Sequence, residues 1–350
     1  MLGRNPGYVT TQGQILADLL SQDGHRVTST SPRLNKAARF FGIVGTILWN
    51  RNRIDVLILE VYSGFYFLVA DVVGQLGRLF SIPTIFVLHG GNLPGFAKRY
   101  PNWVKRVLKR AGVLVAPSPF LARGLAELGL AIRVVPNIIE VENYSFRLRD
   151  GVRPTLLWMR AFHEIYNPQM ALKAFRRIRD RHKEATLVMA GVDKGLEPQI
   201  KDLANEMSLN DSVRFPGFLD DEAKAREFAK ADIFLNTNRV DNMPVSVVEA
   251  CAMGLPVVAT NVGGIADLLT DGANGILVPD DDAVSMADAV DKLSGDAAFA
   301  KKVSANARLL AERSTWSSVR KEWNVLFEEL LTGETELSKI DDPLSQFSNS

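Results

Sequence analysis

A chain of 350 residues, 47% apolar and 23% charged, exceeds what one hydrophobic core usually organises, so two domains are expected. A formal charge of +1 gives no overall attraction to nucleic acid, and a single cysteine excludes an intramolecular disulfide framework. No uncharged apolar run is long enough to span a bilayer and no secretory leader is visible, so a cytoplasmic protein is expected.

In chain order, short β-branched runs alternate with longer amphipathic stretches. Residues 12–22 have helical periodicity, HRVTSTS (25–31) reads as a strand, 35–51 as a helix and DVLILEV (55–61) as a strand. Helices over 64–79, 100–111 and 119–128 separate the strands PTIFVLHG (83–90), VLVAPS (113–118) and IRVVPN (132–137). The polar stretch 140–153, with Gly and Pro, breaks the pattern and marks a domain join. Beyond it TLLWMR (155–160), TLVMAG (186–191), VRFPGF (213–218), DIFLNT (232–237), PVVAT (256–260) and GILVP (275–279) alternate with helical segments. Residues 314–331 form a last amphipathic helix capped by Ser314 or Thr315, and 332–350 are polar enough to be disordered.

Near-continuous apolar strands joined by helices indicate parallel sheets covered on both faces. Two in succession indicate an α/β chain of two doubly wound Rossmann-like domains, expected at 1–145 and 152–312. MLG at the start is too short to be the strand that normally precedes the first helix, so the first domain is expected to lack it.

In open α/β sheets chemistry gathers at the carboxyl ends of strands. The candidates there include Gly13, His89, Ser118, Asn137, Arg160, Gly191, Phe218, residues 237–245 and Gly263-Gly264. The stretch RVDNMPVSVVEACAMGLPVVATNVGGIADLL (239–269) is the most telling. Pro244 suits a first helical turn, Asn242 a cap and Gly254 a stop. Free N–H groups at 243–246, with the helix dipole behind them, make an anion site. Gly263 and Gly264 let a second backbone and helix start approach, which suits a diphosphate. Glu249, among valines, needs a partner to stay ionised. Its paired oxygens match the two hydroxyls of a ribose, with Asp241 placed for hydroxyls beyond the phosphates. The same spacing also fits a capping aspartate and a glutamate salt-bridged to a neighbouring element. Cys251 on this helix reads as packing.

Residues 241–269 resemble the donor-binding signature of retaining family 4 glycosyltransferases, two acidic residues followed by a Pro-Val-Val strand and a Gly-Gly turn. DGHRV, LHGG, APS, VVPN, VRFPGF and DGANGILVPDDD fall in family order, so the resemblance covers essentially the whole chain. It implies the two-domain GT-B architecture, with a C-terminal helix crossing back to the first domain. It further implies a retaining hexosyltransferase acting in polysaccharide biosynthesis or on a lipid-linked or small-molecule acceptor, with a nucleotide-diphosphate sugar as donor.

By this resemblance Glu249 holds the ribose, Asp241 and His89 face the donor sugar, and Arg160 contacts the diphosphate. Asn242, Met243 and Val245 face sugar and phosphates, Gly13 and Gly264 approach the diphosphate, and Phe218 lies in the base-contacting loop. The family places a lysine five residues after the arginine; here that position is Ile165, beside Tyr166-Asn167. This departure keeps open a noncatalytic nucleotide-binding subunit as a second reading, and a sugar-nucleotide epimerase as a third. No dinucleotide-type G-x-G-x-x-G or P-loop occurs, PDDDA (279–283) reads as a turn and cap, and four scattered histidines assemble no metal site. Metal-independent chemistry without a further cofactor is therefore expected. AKRYPNWVKRVLKR (97–110) is basic without an acid, and with Trp103, Val104, Val107 and Leu108 as anchors it fits contact of residues 98–110 with an anionic membrane at its inner face; a solvated basic face fits as well.

Overall fold

A computed structural model describes residues 10–30 and 35–332. The first lobe is a four-stranded parallel sheet of β1 Leu57–Val61, β2 Thr84–Leu88, β3 Val113–Ala116 and β4 Arg133–Val134, in that order. Its helices are α1 Gln12–Gln22, α2 Lys36–Asn50, α3 Phe67–Leu79, α4 Leu93–Arg99, α5 Pro101–Leu108 and α6 Pro119–Gly124. The second lobe has strands β5 Thr155–Met159, β6 Thr186–Ala190, β7 Val213–Gly217, β8 Ile233–Asn236, β9 Val257–Thr260 and β10 Ile276–Val278. They form a six-stranded parallel sheet in the order β10-β9-β8-β5-β6-β7. Around it lie α7 Pro168–Arg181, α8 Glu197–Glu206, α9 Asp221–Lys230, α10 Val245–Ala252, α11 Ile265–Leu268, α12 Ala283–Gly295 and α13 Ala297–Glu312, and the chain's last helix is α14 Trp316–Thr332. The expected two parallel-sheet α/β domains are present. Strand order reverses where β5 meets β8, which opens a crevice at their carboxyl ends.

Period-two alternation divides the first sheet between two cores. Ile58, Ile85, Val87 and Val115 face α1 and α14, meeting Leu16, Leu19, Val319, Trp323 and Leu326. Leu57, Leu59, Val61, Phe86 and Leu88 face the opposite way, toward α2, α3 and α5. The central strands β8 and β9 are fully buried along their length, so IFLN and VVAT have no polar face to show.

One expected strand is not formed. Residues 25–30 join no ladder, and most of their side chains are exposed; residue 31 lies outside the described residues. Among the described residues no strand precedes α1, and β1 pairs only with β2. A strand without a partner leaves its backbone groups to water and gains nothing from being extended. The opening residues 1–9 and the polar stretch 333–350 lie outside the described residues.

The lobes are joined twice. The linker after β4 passes into the second lobe, where buried Arg149 donates to the carbonyls of Arg147, Met253 and Ala231 and fastens the chain. Burial, then the neighbouring Arg147, draws its pKa down to about 10. The return crossing runs from α13 into α14, with Thr315 accepting from Ser318 N–H at 3.4 Å. The two crossings touch, since Ile139 N–H donates to Ser314 O at 2.8 Å.

A candidate active site between the lobes

At the crevice floor the chain leaves β8 through Asn236, Thr237 and Asn238, all with no exposed surface. Burying three polar residues in sequence requires partners. Trp158 Nε1 donates to Thr237 Oγ1 at 2.9 Å, Thr237 Oγ1 donates to Tyr166 O at 2.7 Å, and Thr260 Oγ1 donates to Asn238 O at 2.5 Å. This rigid floor sets Asp241. Its Oδ2 accepts from Arg160 Nη2 and, at 2.7 Å, from Asn238 Nδ2, while its Oδ1 accepts from Asn242 N–H at 2.7 Å. The two side chains assigned from sequence to sugar and diphosphate are thus paired with each other. Arg160 also stacks on Tyr166, 4.2 Å from the ring centroid, beside the position where the resemblance calls for a lysine.

Helix α10 begins differently from the sequence expectation. Pro244 is itself the cap, and Asn242 turns its side chain to Ser118 of the first lobe instead. The N–H groups of Val245 and Ser246 have no acceptor among the described residues. The second helix start is reduced to the single turn of α11, and Gly264 N–H is engaged by Asp241 O at 3.0 Å. Gly263 and Gly264 serve a close approach, but to the protein's own backbone. A Cβ on Gly264 would stand 1.7 Å from Asn242 O, and one on Gly263, at φ +54°, would stand 2.2 Å from Asp241 O.

Glu249 is buried, and its Oε1 accepts from Tyr144 Oη at 2.6 Å and Lys224 Nζ at 2.7 Å. Among the described residues both bonds end on Oε1, which leaves Oε2 for another donor. Burial opposes the charge on Lys224, but Glu249 and then Asp221, at 3.3 Å, outweigh it and raise the ammonium above its usual range. Burial and the same carboxylate raise the Tyr144 hydroxyl. The salt-bridge alternative for Glu249 is therefore realised at one of its two oxygens.

From the first lobe, His89 extends the β1–β2 ladder by donating its N–H to Val61 O at 2.8 Å. Its ring stacks on Tyr62, centroids 5.2 Å apart, and Nε2 lies 3.4 Å from Glu60 Oε1. The same Glu60 oxygen accepts from Gly13 N–H at 2.5 Å. Gly13 thus gives its N–H to a carboxylate of its own lobe. Burial works against Glu60's charge, but His89 and Gly13 prevail and hold it below the usual carboxylate range. Asn137 bridges to the second lobe, Nδ2 donating to Met243 O at 3.2 Å. Val245 is half-buried and Phe218 exposed.

Several buried polar atoms at this crevice have no hydrogen-bond partner among the described residues: Arg160 Nε, Asn236 Nδ2, Asn238 Oδ1 and Ser246 Oγ, whereas His89 Nε2 has the 3.4 Å approach of Glu60. Their gathering on the second lobe's wall suits a polar occupant with acceptors and hydroxyls. Among the described residues no three His, Cys, Asp or Glu side chains group as a metal site. The sequence reading missed Glu60, Tyr62, Tyr144 and Lys224. Only Glu60 carried a local signal, as a lone acid near the carboxyl end of an apolar strand.

The apolar anchors expected to present residues 98–110 to a membrane face inward. Val104, Val107 and Leu108 have no exposed surface, and Trp103 Nε1 donates to Asp71 at 2.6 Å.

The chain matches the family described as "Glycosyl transferases group 1" over residues 143–310 and "Glycosyltransferase Family 4" over residues 11–143. It is 28% identical over 256 residues to the amylovoran biosynthesis glycosyltransferase AmsK of Erwinia amylovora, covering 68% of this chain and 61% of that protein. Of four curated relatives the chain spans 23% to 61% of the length. Its fold is similar to sucrose-phosphate synthase from Thermosynechococcus elongatus, with TM-score 0.77, 17% identity and coverage of 92% and 93% of the two chains. It is also similar to Anabaena HepE in complex with UDP, with TM-score 0.72, 16% identity and coverage of 89% and 88%. Two lobes of parallel sheet facing one crevice, with these matches along both, place the chain: it belongs to the family 4-type glycosyltransferases of GT-B fold.

Proposed function

We propose that the chain transfers a hexosyl group from a nucleotide-diphosphate sugar to an acceptor hydroxyl with retention of configuration. The observation that carries this reading is the gathering of unpartnered buried polar atoms on the second lobe's wall around Arg160 and Asp241. Glu249 Oε2 takes the ribose hydroxyls. Arg160 and the free N–H groups at the start of α10 take the diphosphate, a role for which a guanidinium fork and a helix terminus are suited. Asp241 and His89 orient the sugar. The bond from the sugar's anomeric carbon to the diphosphate breaks with its electron pair leaving on phosphate. The acceptor oxygen bonds to that carbon on the same face, and its proton passes to the departing phosphate oxygen. Preorganised charge supplies most of the acceleration.

HepE has been crystallised with UDP-glucose, so that donor is the first to try. The test incubates the protein with a panel of nucleotide sugars and acceptors and reads the anomeric configuration of the product by NMR. Transfer with retention is expected, and Arg160→Ala should lower turnover by about a hundredfold or more. An inverted product, or near-normal turnover in that variant, overturns the assignment. One observation favours a second reading, a nucleotide-binding subunit without turnover: Asp241 already neutralises Arg160, and a tyrosine rather than a second cation packs beside it. Thermal stabilisation by nucleoside diphosphates with no product from any donor would support that reading.

A further inference from the structure

Positive charge is concentrated in one part of the chain. Residues 35–110 carry eleven Lys and Arg against three Asp and Glu, although the whole chain has a formal charge of only +1. Of the three acids, Glu60 faces the crevice and Asp71 is held by Arg110 and Trp103, leaving Asp55 exposed.

Helices α2, α3 and α5 lie side by side on the outer face of the first sheet. Ile43 and Ile47 of α2 pack with Val73 of α3, and Trp103 of α5 bonds to Asp71 of α3. Arg39 near the start of α2 reaches Tyr66 at 3.4 Å, and Arg51 past its end lies 5.9 Å from the Phe80 ring centroid, so α2 and α3 run parallel. With the inner stripe committed to the core, α2 turns Phe41, Leu48 and Trp49 outward, 70%, 39% and 87% exposed. Their spacing puts them on one helix face. Leu68 and Leu79 of α3 are 45% and 69% exposed beside them. Scattered exposed apolar residues are ordinary, but this many large ones on two adjacent helices mark an interaction face. The exposed Arg51 and Arg53 border it at one end, with Lys98, Arg99, Arg106 and Lys109 on the α4–α5 side.

We propose that this face docks on an anionic bilayer surface, with Phe41, Leu48 and Trp49 entering the headgroup boundary and the arginines and lysines meeting lipid phosphates. Charge selects the occupant. A second copy placed across a two-fold axis would bring the same positive rim against itself, which costs energy. An anionic lipid surface attracts that rim while its acyl boundary accepts the aromatic stripe. Among the described residues no helix is long and apolar enough to cross a membrane, so the contact is interfacial. The proposal is independent of the donor-site reading, and its test uses no turnover.

The experiment sediments the full chain with vesicles of equal parts phosphatidylglycerol and phosphatidylcholine, and with phosphatidylcholine alone. Binding is expected to the anionic vesicles only, and to weaken as salt is raised. Phe41→Ser with Trp49→Ser, and separately Arg51→Glu with Arg53→Glu, should each reduce partitioning by roughly tenfold or more without changing the thermal midpoint. Equal binding to both vesicle types, no binding to either, or unchanged binding by the aromatic variant overturns the proposal. A dimer in sedimentation velocity that Trp49→Ser dissociates, with no vesicle binding by the parent, assigns the face to a second copy instead.

Discussion

Replacing Glu249 by Gln separates a structural from a ligand-holding carboxylate, because its two oxygens have different duties. Gln keeps the side-chain shape and an acceptor for Tyr144, but removes the charge facing Lys224 at 2.7 Å. Breaking a buried pair by changing one partner costs about 3–5 kcal/mol. Lys224 retains Asp221 at 3.3 Å and some solvent contact, so a loss of about 1–3 kcal/mol is expected here. For a lobe of this size that lowers the melting temperature by roughly 2–4 °C per kcal/mol. If Oε2 also holds ribose hydroxyls, a charged hydrogen bond of about 1.5–3 kcal/mol is lost from nucleotide affinity, a factor of roughly 10 to 150. Calorimetric titration of the parent and of Glu249→Gln, with a nucleoside diphosphate and its 2′,3′-dideoxy analogue, reads this directly. The parent should prefer the ribose form by at least about tenfold, and the variant should lose most of that preference. A variant that melts earlier yet discriminates as the parent does would refute the ribose assignment and leave Glu249 a structural ion pair.

Glu60 has a folded-state pKa below its ordinary value of 4.5, so its contribution to stability is present above that value and is lost as pH falls through the folded one. Glu60→Gln should therefore melt earlier at neutral pH and lose less stability than the parent below about pH 4.5, as thermal scans across pH would show. Gly264→Ala should cost about 1–3 kcal/mol and depress turnover, because its Cβ would stand 1.7 Å from Asn242 O and push the Asp241 loop. Gly272→Ala is the control: nothing lies within 4 Å of that Cβ and only its φ of +69° opposes it, so a loss near 1 kcal/mol without a turnover defect is expected.

The alternation of strand and helix was legible because parallel strands buried on both faces are apolar throughout, as IFLN and VVAT are. Residues 25–30 misled for a related reason. Local alternation reports a strand's suitability for a sheet, whereas its formation depends on a neighbour elsewhere in the chain. Within residues 98–110 only the apolar anchors misled, since Val104, Val107 and Leu108 have the spacing of an interfacial helix and equally that of a core helix. On α2 the run GIVGTILW is apolar all round, which hid the division between an inward Ile43–Ile47 stripe and an outward Phe41–Trp49 stripe. At the site, residue types and strand-end positions pointed to Asp241, Arg160, His89 and Glu249. Their pairing partners came from Lys224, 25 residues before Glu249, and Tyr144, 105 residues before it, separations that no local period encodes.

The bond between Ile139 N–H and Ser314 O brings the outgoing and returning chains together at a single point. A body suspended by two adjacent threads swings readily about the line joining them and resists spinning. Both covalent connections between the halves pass through this one place, so any relative movement would have to pivot here, with the Ser118–Asn242 and Asn137–Met243 contacts lying across the crevice.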